Sequence, residues 1–280
     1  MRKSILTICC IGISLISLSQ GLEKVFVETY YIADVEDEKH KYARGLKSGM
    51  VTYRIWVDMQ EGYKLLSIYG APGNPLLLQS SLPFFNDTLH GSIEAPKIKE
   101  YNLGANGLLL DSYIALSGAN SSDLGVLKTD DTDGSVVRPG LESENTTIVD
   151  RGMLLSDHPD AGTALRDADG LMNGQVPALI KFGYDFTAFA EAENDGRIEF
   201  DNGAWAVLKG LKGPFPEKNY VLIAQVTTAG DLSFGFNLQL LSADGVTEYY
   251  VASSPEEAEF THETLTYPLS KTETLTLQKL

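Results

Sequence analysis

The residue types that carry most site chemistry are scarce in this sequence. Cysteine occurs twice, as Cys9 and Cys10, both within the first 19 residues. Once that segment is removed, the chain has no thiol nucleophile, no disulfide and no thiolate-bound metal. A eukaryotic secreted protein of this size usually carries disulfides, so their absence points to a bacterial exported protein held by core burial. The four histidines, His40, His90, His158 and His262, stand apart in polar surroundings, which argues against a zinc site of paired histidines. His158 lies between Asp157 and Asp160 in "SDHPD", a turn pattern more than a charge relay. No G-x-S-x-G elbow, phosphate-cradling glycine loop or basic patch with interleaved aromatics is present. Serine-hydrolase, cofactor and nucleic-acid readings therefore lack support.

Positive charge is also short. Against 38 Asp and Glu there are 22 Lys and Arg, a net of −16, and loss of Arg2 and Lys3 with the leader makes it −18. Such a surface repels nucleic acid and anionic lipid, and it suits solubility outside the cell and divalent cations. The leader is "MRKSILTICCIGISLISLSQ". Arg2 and Lys3 precede an apolar core from Ile5 to Ile16 that is short for a membrane span. Ser17 and Ser19 occupy the small-residue positions before a cut at Ser19–Gln20, the pattern of a secretory signal peptide. Neither cysteine follows a small residue, which excludes a lipoprotein signal. No other run is long and apolar enough to cross a bilayer, so no membrane insertion is expected. The expected location is outside the cytoplasm: extracellular, cell-surface or periplasmic.

What remains is rich in strand signals. "KVFVETYYIA" is β-branched and aromatic. "VTYRIWVDMQEGYKLLSIYG", residues 51–70, reads as a hairpin turning at Gln60-Glu61-Gly62, with Asp58 opposite Lys64. Residues 219–241 read as a second hairpin, in which Leu232, Phe234, Phe236, Leu238 and Leu240 share one buried face. "THETLTYPLSKTETLTLQKL" reads as closing edge strands. No helix of ordinary length is evident, and residues 119–175 lose the pattern altogether. Many short strands with Gly- and Asp-rich turns predict an all-β, antiparallel, jelly-roll-like sandwich. The expected division is a leader (1–19), an N-terminal lobe (20–140) and a C-terminal lobe (141–280), or one continuous domain.

Two constellations stand out. On the strand 51–59, Tyr53, Ile55 and Val57 alternate with Arg54, Trp56 and Asp58, so the indole shares a face with two charges. Trp56, Arg54, Asp58, Tyr69, Phe84 and Phe85 are candidates for a ligand-binding face, with Tyr63 and Trp205 near in character. Flat rings stack on the C–H faces of sugars. The competing reading packs the same face under a loop or a second sheet, since tryptophan is usually well buried. The second constellation is acidic. Asp130, Asp131 and Asp133 precede Gly134 in "KTDDTDGS", and Glu193 and Asp195 lie in "EAENDGRIEFDNG". Carboxylates on a tight glycine turn suit calcium, although Thr129 and Gly140 fail the end positions of an EF-hand loop. Such clusters are also ordinary solvated turns. The acids at 191–201 lack the strand pattern of jelly-roll glucanases, and no glycosidase pair can be singled out.

The stretches "VTYRIWVDMQEGYKLLSIYG", "FFND", "LLLDSYIALSG", "GVLKTDD" and "VLIAQVTTAGDLSFGFNLQL" together resemble a β-rich extracellular domain. It recurs in secreted and surface proteins of Bacteroidota, often beside type IX secretion sorting modules. The resemblance implies export and a β-rich fold, and it implies no catalytic residue. No separate sorting module is expected before Leu280. "DTL" at Asp87–Leu89 is similar to an Asp-Ser/Thr-apolar sequon for bacterial O-glycosylation, which would modify Thr88. The functional expectation is a non-catalytic surface or matrix protein that binds glycan or protein, with calcium as an ordering ion. The alternatives are a carbohydrate-active enzyme using the 191–201 acids and a purely structural assembly subunit.

Overall fold

The computed structural model describes residues 20–39, 44–98, 107–117, 119–120, 123–130 and 178–268. Their strands in chain order are β1 Leu22–Ile32, β2 Val51–Met59, β3 Lys64–Gly70, β4 Leu76–Ser80, β5 Tyr113–Ser117, β6 Ala119–Asn120 and β7 Asp123–Leu124. They continue as β8 Leu179–Phe182, β9 Arg197–Phe200, β10 Gly203–Leu211, β11 Asn219–Thr228, β12 Leu232–Gly235, β13 Asn237–Leu241, β14 Thr247–Tyr250, β15 Glu259–Phe260 and β16 Thr266–Tyr267. A single short helix, α1, spans Val35–Lys39. The all-β sandwich expected from the sequence is the architecture found.

Three sheets build it, with a small β6–β7 ribbon beside them. The first has the order β1-β2-β11-β5, the second β15-β14-β13-β3-β10-β8, and the third β16-β12-β4-β9. Only the β14–β15 pair is parallel. The third sheet prolongs the second across a bend. β9 leads into β10 after two residues and β12 into β13 after one, and β4–β9 and β12–β4 repeat the pairings of β3–β10 and β13–β3. The first sheet packs on both. Ile55, Val57, Val221 and Ile223 meet Leu65, Ile68, Trp205, Leu238 and Tyr250 in one core.

The two hairpins expected from the sequence are not formed. β2 pairs with β1 and β11, whereas β3 pairs with β10 and β13. The turn at 60–63, with Gly62 at φ +86, carries the chain from one sheet to the other. Asp58 therefore faces Lys24 and Tyr220 and is not opposite Lys64. Residues 229–231 make the same kind of crossing between β11 and β12. The alternation was still legible, because Leu232, Phe234, Phe236, Leu238 and Leu240 are all core residues. Strands from residues 22–117 and 179–267 mix in each of the three sheets, so the described residues do not separate into two lobes. The 140–141 boundary itself lies outside them, as do the leader and residues 269–280.

Candidate functional site

The face of β2 that carries Trp56 is sealed. Trp56 and Arg54 have no exposed surface. The indole stacks on Phe26, with ring centres 6.5 Å apart, and its Nε1 donates to Glu28 Oε2 at 3.2 Å. Ala95, Tyr113, Ala115 and Leu222 close around it. Arg54 lies over the Tyr30 ring at 3.7 Å and donates through Nε to Gln225 Oε1 at 2.8 Å and through Nη1 to the Val126 carbonyl at 3.2 Å. Tyr113 donates to the same Gln225 oxygen, and Gln225 Nε2 donates to the Asp111 carbonyl. The charged positions on β2 thus mark a bonded polar seam beneath a second layer of chain, not a surface.

The other candidates disperse. Phe84 enters the main core and meets Phe189 edge-on, with ring centres 5.4 Å apart. Phe85 points the other way, into a cluster with Tyr30, Leu46 and Val126. Asp58 is buried at the end of β2, with Lys24 at 3.7 Å. Burial, reinforced by Glu23, raises its pKa. Five of the six residues therefore offer nothing to a ligand, and the Trp56 docking face is corrected to an inner wall. A small cleft does reach the indole between the 125–130 and 214–220 segments, but the Lys218–Asp130 ion pair, 2.6 Å long, stands in its lining.

Asp130 is thereby engaged by a lysine, and Asp131 and Asp133 lie outside the described residues. Glu193 and Asp195 sit on an exposed turn, where Asp195 Oδ1 accepts from the Arg197 amide. Glu191 and Asp201 are exposed as well. Among the described residues, no three Asp, Glu, His or Cys side chains converge as a metal site would require. Asp111 is the notable buried acid. It receives the Asp87 and Ser92 amides at 2.8 and 3.0 Å, and burial pushes its pKa well up. It shapes the 85–92 loop, at whose tip Thr88 is exposed.

The sixth candidate, Tyr69, lies on a different surface. Directly paired residues of antiparallel strands share a face, so two rows cross the outer side of the six-stranded sheet. One runs Phe182–Ala204–Tyr69–Asn237, the other Ile180–Ala206–Ser67–Gln239–Tyr249. From β8 to β14 neither row contains a charge, in a protein of net −16, and Glu259 on β15 ends the second. Phe182 is 57% exposed and Tyr249 39%. Between them Ala204 and Ser67 are buried and Ala206 is half-buried. Ser67 donates to Gln239 Oε1 at 2.8 Å, which fixes that amide. Among the described residues the buried Tyr69 hydroxyl has no hydrogen bond, and burial, followed by Glu259 and Tyr249 nearby, raises its pKa. Glu259 pairs with Tyr249 at the rim.

A bulge borders this face. β10 sets residues 207–210 against Leu66 alone, with Gly210 at φ +65, and so lifts Leu208 to 84% exposure. Sequence reasoning named Tyr69 but missed Phe182 and Tyr249. The available signal was the weak alternation of "ALIKF" and "TEYY", which fixes faces only when the partner strands are known.

No family model matches this chain, and neither curated proteins nor solved structures yield a match.

Proposed function

We propose that the protein is an exported, non-catalytic β-sandwich that binds uncharged glycan through the open face of its six-stranded sheet. One observation carries this reading: between β8 and β14, two cross-strand rows bear the exposed rings of Phe182 and Tyr249, the half-buried Gln239 amide and no charge, on an otherwise acidic molecule. Aromatic rings supply apolar contact with a flat edge, and Gln239, oriented by the buried Ser67, supplies a polar group beside them. Adjacent strands lie about 4.8 Å apart, so the four steps from β8 to β14 span about 19 Å. That length accommodates a short run of linked sugar rings. An uncharged ligand suits the site because no cation offsets the loss of a polyanion's hydration, and the surrounding carboxylates repel it.

The test is calorimetry against a panel of neutral polysaccharides, with one polyanionic polysaccharide alongside. Binding of a neutral chain is expected, weakened about tenfold or more (about 1.4 kcal/mol) by Tyr249→Ala or Phe182→Ala. Absence of neutral binding, or full binding by both variants, contradicts the proposal. Release of reducing ends from the panel would restore the enzyme alternative.

A further inference from the structure

The residues just after the expected cut are firmly fixed. Gly21 is buried, and its N–H donates to Glu248 Oε2 at 3.0 Å. Its carbonyl accepts from the Gln60 amide at 2.9 Å. A side chain at this position would overlap the Tyr63 ring, so only glycine fits. The next amide, Leu22, donates to the Tyr250 hydroxyl at 3.2 Å. Glu248 also accepts from the hydroxyls of Tyr63, at 2.9 Å, and Tyr250, at 2.6 Å. Among the described residues, all three of these donors are neutral. A carboxylate that holds three neutral donors keeps its full negative charge, and a cation within reach gains from it.

We propose that Glu248 is the receptor for the α-ammonium of the processed chain, created when the Ser19–Gln20 peptide bond is hydrolysed. The inference rests on the sequence reading of that cut. Water is consumed, Ser19 leaves with a carboxylate, and the amine of Gln20 takes up a proton. This ammonium stands one residue from the amide already bound to Glu248. The chain end would otherwise be held by neutral bonds only. Because Gly21 is locked two residues past the scissile bond, a peptidase that needs extended chain on both sides must cut before β1 docks. Removal of the leader and completion of the fold are thereby ordered.

The ionisable groups around this end are Glu248 and Tyr250 on β14, Tyr63 in the 60–63 turn, Glu23 and Lys24 on β1, Asp58 on β2 and Asp244 in the β13–β14 turn. His262 and Glu263 lie beside β1 near Thr264, which accepts from the Val25 amide. Burial and Glu248 push the Tyr63 hydroxyl up to about 12, and Tyr250 higher, so both stay neutral over the pH range of the test.

The experiment compares the chain beginning at Gln20 with the same chain bearing a Gly-Ser extension, each with Glu248 intact and as Glu248→Gln. Melting midpoints are read at pH 6 and pH 9, which bracket the ordinary α-amino pKa of about 7.7–8.0. A carboxylate neighbour raises that pKa in the folded state. The stabilisation is therefore complete below the unfolded value and lost as pH rises through the folded one. The native start is expected to melt about 2 °C above the extended chain at pH 6. The gap should close at pH 9 and vanish in Glu248→Gln, which subtracts pH effects that do not pass through Glu248. Equal midpoints at pH 6 with Glu248 intact overturn the proposal. A gap unchanged in Glu248→Gln overturns it too, as does an intact mass showing Gln20 cyclised with loss of ammonia. None of these readouts involves glycan, so the outcome is independent of the sheet-face proposal.

Discussion

At the scale of single residues, the outer side of the first sheet is decided by how Arg54 is held. Its guanidinium needs a planar, forked donor set to reach Gln225 Oε1 and the Val126 carbonyl while lying on Tyr30. Arg54→Ala is expected to cost about 3–5 kcal/mol, because it empties a fully buried site and removes donors to Gln225 Oε1 and the Val126 carbonyl. Arg54→Lys should recover little of this, since an ammonium cannot serve both oxygens and stack. Urea titration of the two variants measures both losses. A lysine variant as stable as the parent would contradict the geometry. The same residue explains why Trp56 was hard to place from sequence. The alternation correctly separated Trp56 from Ile55 and Val57. Charge at Arg54 and Asp58 was then read as a mark of solvent, whereas here it marks satisfied polar groups beneath Tyr30, Val126 and Lys24.

At the scale of elements, the sequence spoke clearly about which residues form strands and poorly about which strands pair. Period-two alternation sets faces and carries no information on partners. The turn at Gln60-Glu61-Gly62 was rightly placed, but such a turn, with Gly62 left-handed, serves a crossing between sheets as well as a hairpin. This is why 51–70 and 219–241 look like hairpins and are not. Phe182 and Tyr249 come onto one face only through four neighbouring pairings that no local pattern contains. The bend between the second and third sheets rests on close backbone approach. A Cβ on Gly70 would overlap the Phe200 carbonyl. Gly70→Ala is therefore expected to destabilise by about 3 kcal/mol through forced separation of β3 and β9. Thermal melting checks this, and a midpoint equal to the parent's would show that the bend is looser than described.

At the scale of the whole molecule, strands far apart in the chain complete one another. β2 lies between β1 and β11, and β3 lies between β10 and β13. A fragment of residues 20–140 should therefore fail to fold, leaving β2 without β11 and β3 without either partner. Its amide spectrum is expected to lack dispersion, and a dispersed spectrum would reinstate an independent N-terminal lobe. The composition did convey the class of molecule: acidic, β-rich and without cysteine after residue 19. It did not convey that the first sheet is covered on both sides, and the proposal to place glycan on the six-stranded sheet in place of Trp56 depends on that. The chain has two tryptophans, Trp56 and Trp205, and neither has exposed surface. Quenching of tryptophan emission by iodide tests the cover directly. The account predicts blue-shifted emission that iodide leaves unchanged in the folded protein and quenches only after unfolding. Red-shifted emission, quenched in the folded state, would contradict it.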